Sequence, residues 1–380
     1  MSLTEDIKSY ALDLGYSHVG ITTAEPFPMY AQALEERSQD YDWAIGSGLR
    51  LERTVNPQER LPDARSIIVA VYDYFREHFP ENLVGKVGRL YQSRSYIEPP
   101  TRLGGARVQM MRHFLESRGM QVGRWFMISS GVPDRLAAVR SGVGKIGKNT
   151  FLCAPGIGTF VIIHTFIVNA ELECDSPAKE THCPPNCRLC IEACPTGAIV
   201  DDFRLNPRRC LTFNHVVNVH GFHNTTPYID SKIRPKMSSW IHGCDLCQEA
   251  CPRNQAKIKA ELPVNAFLEE TAKRFSLIGL LRMDRETEAK AVAPLLYTYM
   301  RERKYFQRNA AVALGNSGNP EMIPYLVEAM DDPEELVRAH TAWALGQLGG
   351  ADARRALEIK LSRESGEHAS KEIRSALERT

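Results

Sequence analysis

Cys183-Pro-Pro-Asn-Cys187-Arg-Leu-Cys190-Ile-Glu-Ala-Cys194-Pro195 and Cys244-Asp-Leu-Cys247-Gln-Glu-Ala-Cys251-Pro252 carry the pattern C-x2-C-x3-C-P twice. A lone Cys210 lies between them. These eight residues account for most of the chain's 10 cysteines. In a reducing compartment, clustered cysteines bind metal or do chemistry more often than they form disulfides. An iron–sulfur cubane needs four thiolates, and a short loop presents three of them around one cube. The proline after each run stops the turn from extending. Where two such runs share a segment, the last cysteine of each ligates the other cluster. One cluster therefore takes Cys183, Cys187, Cys190 and Cys251, and the other takes Cys194, Cys210, Cys244 and Cys247. Zinc is the rival, because paired C-x2-C motifs also make zinc ribbons. The C-x3-C-P continuation and a thiolate count that matches two cubanes favour [4Fe–4S]. One spacing departs from the pattern: Cys183 to Cys187 is C-x3-C, with Pro184-Pro185 bulging the loop. Cys153 and Cys174 stand apart and read as small buried hydrophobes.

Two clusters held close together form an electron wire, and a wire implies something to reduce at its far end. The 380 residues allow two or three domains. The boundaries fall at 1–175 for an α/β domain, 176–265 for a ferredoxin-like segment and 266–380 for a helical domain. Lys+Arg at 47 nearly balances Asp+Glu at 46, which excludes a strong overall pull towards nucleic acid or anionic lipid. The N-terminus has no apolar core of a signal peptide, and no stretch reaches the length of a membrane span. The expected location is the cytoplasm, with no membrane partner.

Residues 1–175 alternate helix and strand signals. Leu3 to Gly15 has helical periodicity, and His18 to Thr22 is a short strand. Ala64 to Val71 and Thr159 to Val168 are continuous apolar runs, as buried strands are. His164 in the second run reads as a satisfied core histidine. Val108 to Arg118 is a helix ending at Gly119. The cluster Gly142-Val-Gly144-Lys-Ile-Gly147-Lys148-Asn149 matches neither a dinucleotide fingerprint nor a P-loop. A helical stretch, Asp134 to Arg140, precedes it, and Asn149 stands where a P-loop needs Ser or Thr. It reads as a turn whose backbone approaches a large cofactor.

Beyond about 271 the chain is helical. Gln307 to Gly315 recurs as Arg338 to Gly346, and Pro320 and Pro333 mark helix starts. This is a short HEAT-like array, a type that binds partners on one face. Arg301, Arg303, Lys304 and Arg308 form a local basic run, either a solvated helix face or an RNA contact.

This order of parts resembles the epoxyqueuosine reductase family, which is related to cobalamin-dependent reductive dehalogenases. The likeness rests on Arg53-Thr-x-x-Pro57, Leu61-Pro-x-Ala-Arg-Ser66, Asp134-Arg135, Ser141 to Thr150, Cys194-Pro-Thr-Gly-Ala-Ile199, Cys210, Gly243-Cys-Asp-x-Cys247, Gln307-Arg-Asn309 and Thr341 to Leu345. It implies a nitroreductase-like α/β domain that binds cobalamin with no histidine beneath the cobalt. It implies electrons from an external low-potential donor of the ferredoxin or flavodoxin type, passed through both clusters to cobalamin. The substrate would be an epoxide on a tRNA base, with tRNA reached through the HEAT-like domain. By matching position, the cofactor contacts are Arg53, Ser93, Ser129, Lys148, Asn149, Thr212 and Asp245.

Departures from the family cluster at the substrate side. The family carries an aspartate, a proton donor, in a V-D-T-G stretch; here Met127-Ile-Ser-Ser-Gly131 puts Ser129 in its place. A serine hydroxyl is a poor general acid. Asp134, Tyr96, Glu98 and His113 are the other candidate acids. The stretch Phe213 to Ile241, with His215, His220, His223 and Tyr228, is also unlike the family. The expectation is a divergent paralogue with scaffold, clusters and corrin site kept and the substrate pocket rebuilt. Alternatives are a dehalogenase-like reductase of a small molecule using Tyr96, an electron-transfer partner that reactivates a corrinoid protein, and a tRNA-binding module without turnover.

Overall fold

A strand whose side chains are apolar on both faces must be covered on both faces. Ser66–Asp73 is such a strand, and it lies at the centre of a three-stranded sheet between His18–Thr23 and Val161–Val168. The structure is a computed structural model that describes residues 2–45, 51–93, 103–124, 131–178, 183–296 and 302–380. Both strand pairings are antiparallel, with Ile21 opposite Ile68 and Ile68 opposite Phe166. The apolar runs foretold the strands, but not their direction. Ile67, Val69 and Val71 pack on one side against the helix Asp134–Arg140. Ile68 and Ala70 pack on the other against the helices Leu3–Asp13 and Leu103–Ser117. Ser2 caps the first helix and exchanges hydrogen bonds with Glu5, a capping box. His164 is buried and bonded to the Tyr16 hydroxyl at 2.7 Å, the satisfied core role expected of it.

The helical end packs as a stack. Arg303–Asn316, Glu335–Leu348 and Glu367–Leu377 lie side by side, with Ile323–Ala329 and Ala351–Leu361 between them in sequence. The repeat is visible in two glycines 31 residues apart (346 − 315). A Cβ on Gly315 would lie 2.7 Å from Ala344 Cα, and one on Gly346 would lie 2.6 Å from Ala376 Cβ. Glycine at this position lets each helix approach the next. Pro320 opens a 3-10 turn capped by Asn319, as expected. Pro333 instead precedes a helix that begins at Glu335.

One hydrophobic core runs through the expected domain boundaries. Tyr74, Phe75, Leu83 and Phe160 from the first part meet Leu211, Ile229 and Trp240, and these meet Leu280, Ala310 and Trp343. The stretch 213–241 is clamped onto the stack by the buried Arg308. Its guanidinium donates to the carbonyls of Asn214, His215 and Pro227 and to Asn218 Oδ1. Asn309 adds bonds to the carbonyls of His215 and Ile241. Among the described residues no helix is long and apolar enough to cross a membrane.

Two outcomes follow. Gly346→Val should lower the urea midpoint, because overpacking a tight contact costs about 1–3 kcal/mol. His340 is buried, accepts from Ile229 N at 3.2 Å and bonds the Leu336 carbonyl at 2.7 Å. Burial, first, and then the cations Arg234 and Arg308 hold its pKa well below 6.5. The folded state therefore keeps His340 neutral, while the unfolded chain takes up a proton below that value. Its contribution is full above pH 6.5 and is lost as pH falls. His340→Gln should reduce the pH slope of stability by about 1.4 kcal/mol per pH unit in that window, measured by denaturation at stepped pH.

Candidate iron–sulfur centre and its surroundings

Each C-x3-C-P run folds into a four-residue helix, Leu189–Glu192 in the first and Leu246–Glu249 in the second. The short helix turns the chain so that Cys190 and Cys247 face back toward their own loops, while Cys194 and Cys251 leave in another direction. A hollow is lined by Cys183, Cys187, Cys190 and Cys251, together with Gly147, Lys148, Asn149, Cys153, Thr159, Leu189, Pro252 and Arg253. The last cysteine of the second run thus stands with three from the first. In the other set, Cys244 and Cys247 are flanked by Cys210 and Cys194. The two quartets are the crossed sets the spacing implies.

Electrostatics gives the same grouping. Burial, then the charges of Cys183, Cys251 and Cys187, pushes the Cys190 thiol up to about 11. Burial, then Cys210 and Cys244, raises Cys247 well above its ordinary value. Eight thiolates packed this way are unfavourable without a cation among them, so metal uptake must release protons. Donors wait at the sulfurs. Lys148 N reaches Cys183 Sγ at 3.4 Å, and Ala198 N reaches Cys194 Sγ at 3.2 Å. Burial raises Cys194, but the hydrogen bonds of Thr196, Ala198 and Ile199 outweigh it and hold the pKa down. Such N–H···S bonds tune cluster potential.

The rival occupant, zinc, asks for a tighter set of sulfurs than a cubane does. Tetrahedral zinc at about 2.3 Å from each sulfur needs sulfurs about 3.8 Å apart. A quartet that surrounds a hollow suits a cube of metal and sulfide.

Comparison with known proteins agrees with this geometry. The 4Fe-4S double cluster binding domain family matches residues 182–254, and HEAT repeats match residues 292–378. An epoxyqueuosine reductase of Staphylococcus aureus is 31% identical over 372 residues, covering 96% of this chain and 94% of that protein. The chain belongs to the epoxyqueuosine reductase family. It is by that membership an oxidoreductase with a double [4Fe–4S] domain. The Bacillus subtilis relative is 29% identical over 99% of this chain and 95% of its own length. A solved structure of the Bacillus subtilis enzyme, with a catalytic aspartate loop swung out of its active site, superposes with a TM-score of 0.82 at 26% identity, covering 99% of this chain and 98% of that one. Another, an epoxyqueuosine reductase with an epoxyqueuosine-modified tRNA-Tyr stem loop, gives 0.83 at 27% identity with the same coverage.

The remaining expected residues fall into three places. Arg53 is exposed on the turn Leu51–Thr54, whose Leu51 packs on an aromatic group of Tyr41, Trp43, Phe213 and Phe222, and Thr212, which hydrogen-bonds Cys210, precedes Phe213 in that group. Trp43 Nε1 is buried there with no partner among the described residues. Ser93 and Asp245 lie on the turn Arg89–Ser93 and its neighbour. Ser93 donates to the Leu90 carbonyl, and Asp245 accepts from Arg89 N at 2.6 Å. Burial pushes Asp245 up to about 6, although Arg89 works against it. Lys148 and Asn149 stand at the first hollow. Lys148 Nζ pairs with Asp202 at 2.9 Å and donates to the Pro185 carbonyl, while Asn149 Nδ2 reaches the Cys247 carbonyl at 3.3 Å. Asp134 accepts from Thr165 Oγ1 at 2.7 Å, and His113 is exposed on its helix. Ser129, Tyr96 and Glu98 lie outside the described residues.

Three expectations are corrected. The glycine-rich turn mostly approaches its own chain: a Cβ on Gly142 would meet the Ser176 carbonyl, and one on Gly144 the Cys153 carbonyl. Gly147 lines the hollow, and a Cβ there would lie 3.0 Å from Asn149 Oδ1 and 3.7 Å from Cys183 Sγ. Cys174 is exposed rather than buried, while Cys153 is buried and lines the first hollow. The basic run is not an open cationic patch: Arg308 is fully buried, Arg303 pairs with Asp332, and Lys304 pairs with Glu302 and Glu334. Arg301 lies outside the described residues. Sequence reading also missed Thr159, Gln248 and Asn254. These form a buried hydrogen-bonded set tying the start of the Val161–Val168 strand to the second cysteine run.

Crossed ligation predicts a non-additive result. Anaerobically reconstituted protein should hold about eight irons, four per cubane. Cys187→Ser with Cys251→Ser should remove one cluster between them, leaving about four. Cys187→Ser with Cys210→Ser should remove both.

Proposed function

We propose that the chain is a cobalamin- and [4Fe–4S]-dependent reductase of the queuosine-pathway type, with the groups on the substrate side of the corrin rebuilt. The observation that supports it most is the crossed pairing of eight cysteines in a chain that aligns end to end with epoxyqueuosine reductases. Cobalamin, when bound, supplies a low-valent cobalt that is nucleophilic and strongly reducing, and the clusters supply its electrons. The Trp43 Nε1 donor, without a partner among the described residues, would suit an amide of such a cofactor, and Arg53 and Thr212 are the matched residues nearest to it in the chain segments that form the aromatic group. Asn149, bonded to the Cys247 carbonyl, holds the two quartets in register. In the domain scheme, residues 1–175 bind the corrin, 176–265 the clusters, and 266–380 carry the repeats.

Proton supply is where this chain departs. Ser129 cannot deliver a proton near neutral pH, but it can hold a water that does. Asp134 Oδ1 accepts from Thr165, which leaves Oδ2 as the oxygen that would carry an acid proton. A tRNA base remains the leading substrate class, by likeness to the relatives. The paired and buried cations of the basic run leave its recognition to other surfaces. Reduction of a small electrophile with Tyr96 as acid is the second reading, and the loss of the aspartate at Ser129 favours it.

The test uses protein purified anaerobically with cobalamin. Retained corrin absorption is expected, and iron without corrin would defeat the reading. On an epoxyqueuosine-modified stem loop, Ser129→Asp should raise turnover about 10²-fold or more, the usual range for a positioned acid. Wild-type turnover already at the relatives' level, unchanged by Ser129→Asp, would show that the pocket is not rebuilt.

A further inference from the structure

Five cysteines line the first hollow: Cys153 stands there with Cys183, Cys187, Cys190 and Cys251. A cubane takes four thiolates, so one sulfur at this centre has no place in the crossed scheme. Cys153 is 4% exposed, and its thiol has no hydrogen-bond partner among the described residues. A cysteine that serves as a small hydrophobe sits among apolar side chains. Its neighbours Leu152 and Ala154 do so, packing with Val69 and Ala137. Side chains alternate along a strand, and on Leu152–Cys153 the alternation turns the Cys153 thiol from that core to the hollow. Of the four assigned ligands, Cys251 and Cys183 are the thiols whose charges act on it.

Cys153 and Cys183 meet on one hairpin. Lys145–Ile146 pairs with Leu152–Cys153, with Lys145 opposite Cys153. Gly147 N closes the turn onto the Phe151 carbonyl at 2.8 Å, and Lys148 N reaches Cys183 Sγ at 3.4 Å. Thr150 at the tip is held at φ 68°, which a β-branched residue keeps only where its surroundings fix it. Arg135 Nη1 donates to its carbonyl at 2.6 Å. Cys153 therefore rides on fixed backbone. Cys183 instead begins the exposed loop Pro184 to Asn186, the one place where the cysteine spacing is irregular. Cys190 lies on the helix Leu189–Glu192, and Cys251 caps the helix Pro252–Ile258, which Asn254 ties to Thr159 and Gln248.

We infer that Cys153 is a reserve ligand of the first cluster, placed to stand in for Cys183. This rests on the [4Fe–4S] part of the proposed function and is independent of corrin and substrate. In the exchange a Cys183 sulfur–iron bond breaks and a Cys153 sulfur–iron bond forms. The Cys153 proton passes to the released Cys183 thiolate, and no oxidation state changes. Where Cys183 is absent, that proton goes to solvent. The rescue is one-sided, because Cys153 stands beside Cys183 and Cys251 and away from Cys187.

The experiment reconstitutes full-length variants anaerobically and measures iron content and EPR spectra, oxidised and dithionite-reduced. Wild type, Cys153→Ala and Cys183→Ala should each hold about eight irons, four per cubane. Cys187→Ala should hold about four, and so should the double variant Cys153→Ala with Cys183→Ala. The irons kept by the second quartet report that each variant has folded. Half the iron lost from Cys183→Ala alone, a three-iron signal in its oxidised state, or a full complement in the double variant would overturn the reserve role. Wild-type protein without cubane iron would overturn the reductase reading beneath it.

Discussion

Everything in this molecule depends on one sulfur that crosses over. Cys251 belongs by sequence to the second cysteine run, yet it completes the quartet of the first. Its partner exchange is Cys194, which leaves the first run to join Cys210, Cys244 and Cys247. Crossed ligation, as proposed, requires the segments 183–194 and 244–251 to lie side by side before either cluster forms. The protein must hold them there against the mutual repulsion of eight thiolates. It does so with neutral donors: backbone N–H groups at Cys183 and Cys194, and the buried Thr159–Gln248–Asn254 set behind Cys247 and Cys251.

The helical stack serves the same constraint from a distance. Between Cys210 and Cys244 the chain makes a long excursion, residues 213–241, with little regular structure of its own. Arg308 and Asn309 satisfy its carbonyls from inside the repeat array, and Arg234 returns an ion pair to Glu372 at 2.7 Å. A buried guanidinium with five acceptors is costly to leave unmatched and specific when matched. The repeats therefore brace the strap that brings Cys244 to Cys210. This accounts for a basic residue in a helix that solvent does not reach.

Much of this was legible in the sequence because the signals were local. Cysteine spacing and the proline after each run are short-range facts, and they lead to a grouping that the fold also makes, Cys251 beside Cys183, Cys187 and Cys190. Apolar runs marked the strands Ser66–Asp73 and Val161–Val168, and Gly315 and Gly346 marked the repeat. What failed was non-local. Strand direction depends on connections that periodicity does not encode, so the apolar runs did not foretell that both pairings of the helix-covered sheet are antiparallel. The glycines at 142 and 144 are required by Ser176 and Cys153, contacts no motif reveals. Arg308 looked like part of a surface run because its partners, the carbonyls of Asn214, His215 and Pro227, lie 81 to 94 residues away. Matching positions carried Lys148 and Asn149 into a cofactor role. Their side chains in this fold serve the cluster loops.

The two near-identical runs sit in unequal surroundings. One C-x2-C loop presents Arg188 and Leu189 to solvent, and the other turns Asp245 inward onto Arg89. The measurement that bears most directly on this account is Mössbauer spectroscopy of anaerobically reconstituted, iron-57-enriched protein. Two [4Fe–4S] centres predict that essentially all bound iron appears as cubane signal at about eight irons per chain, four for each set of cysteines. Isolated iron sites, a single cluster, or zinc filling the cysteines in place of iron would contradict it.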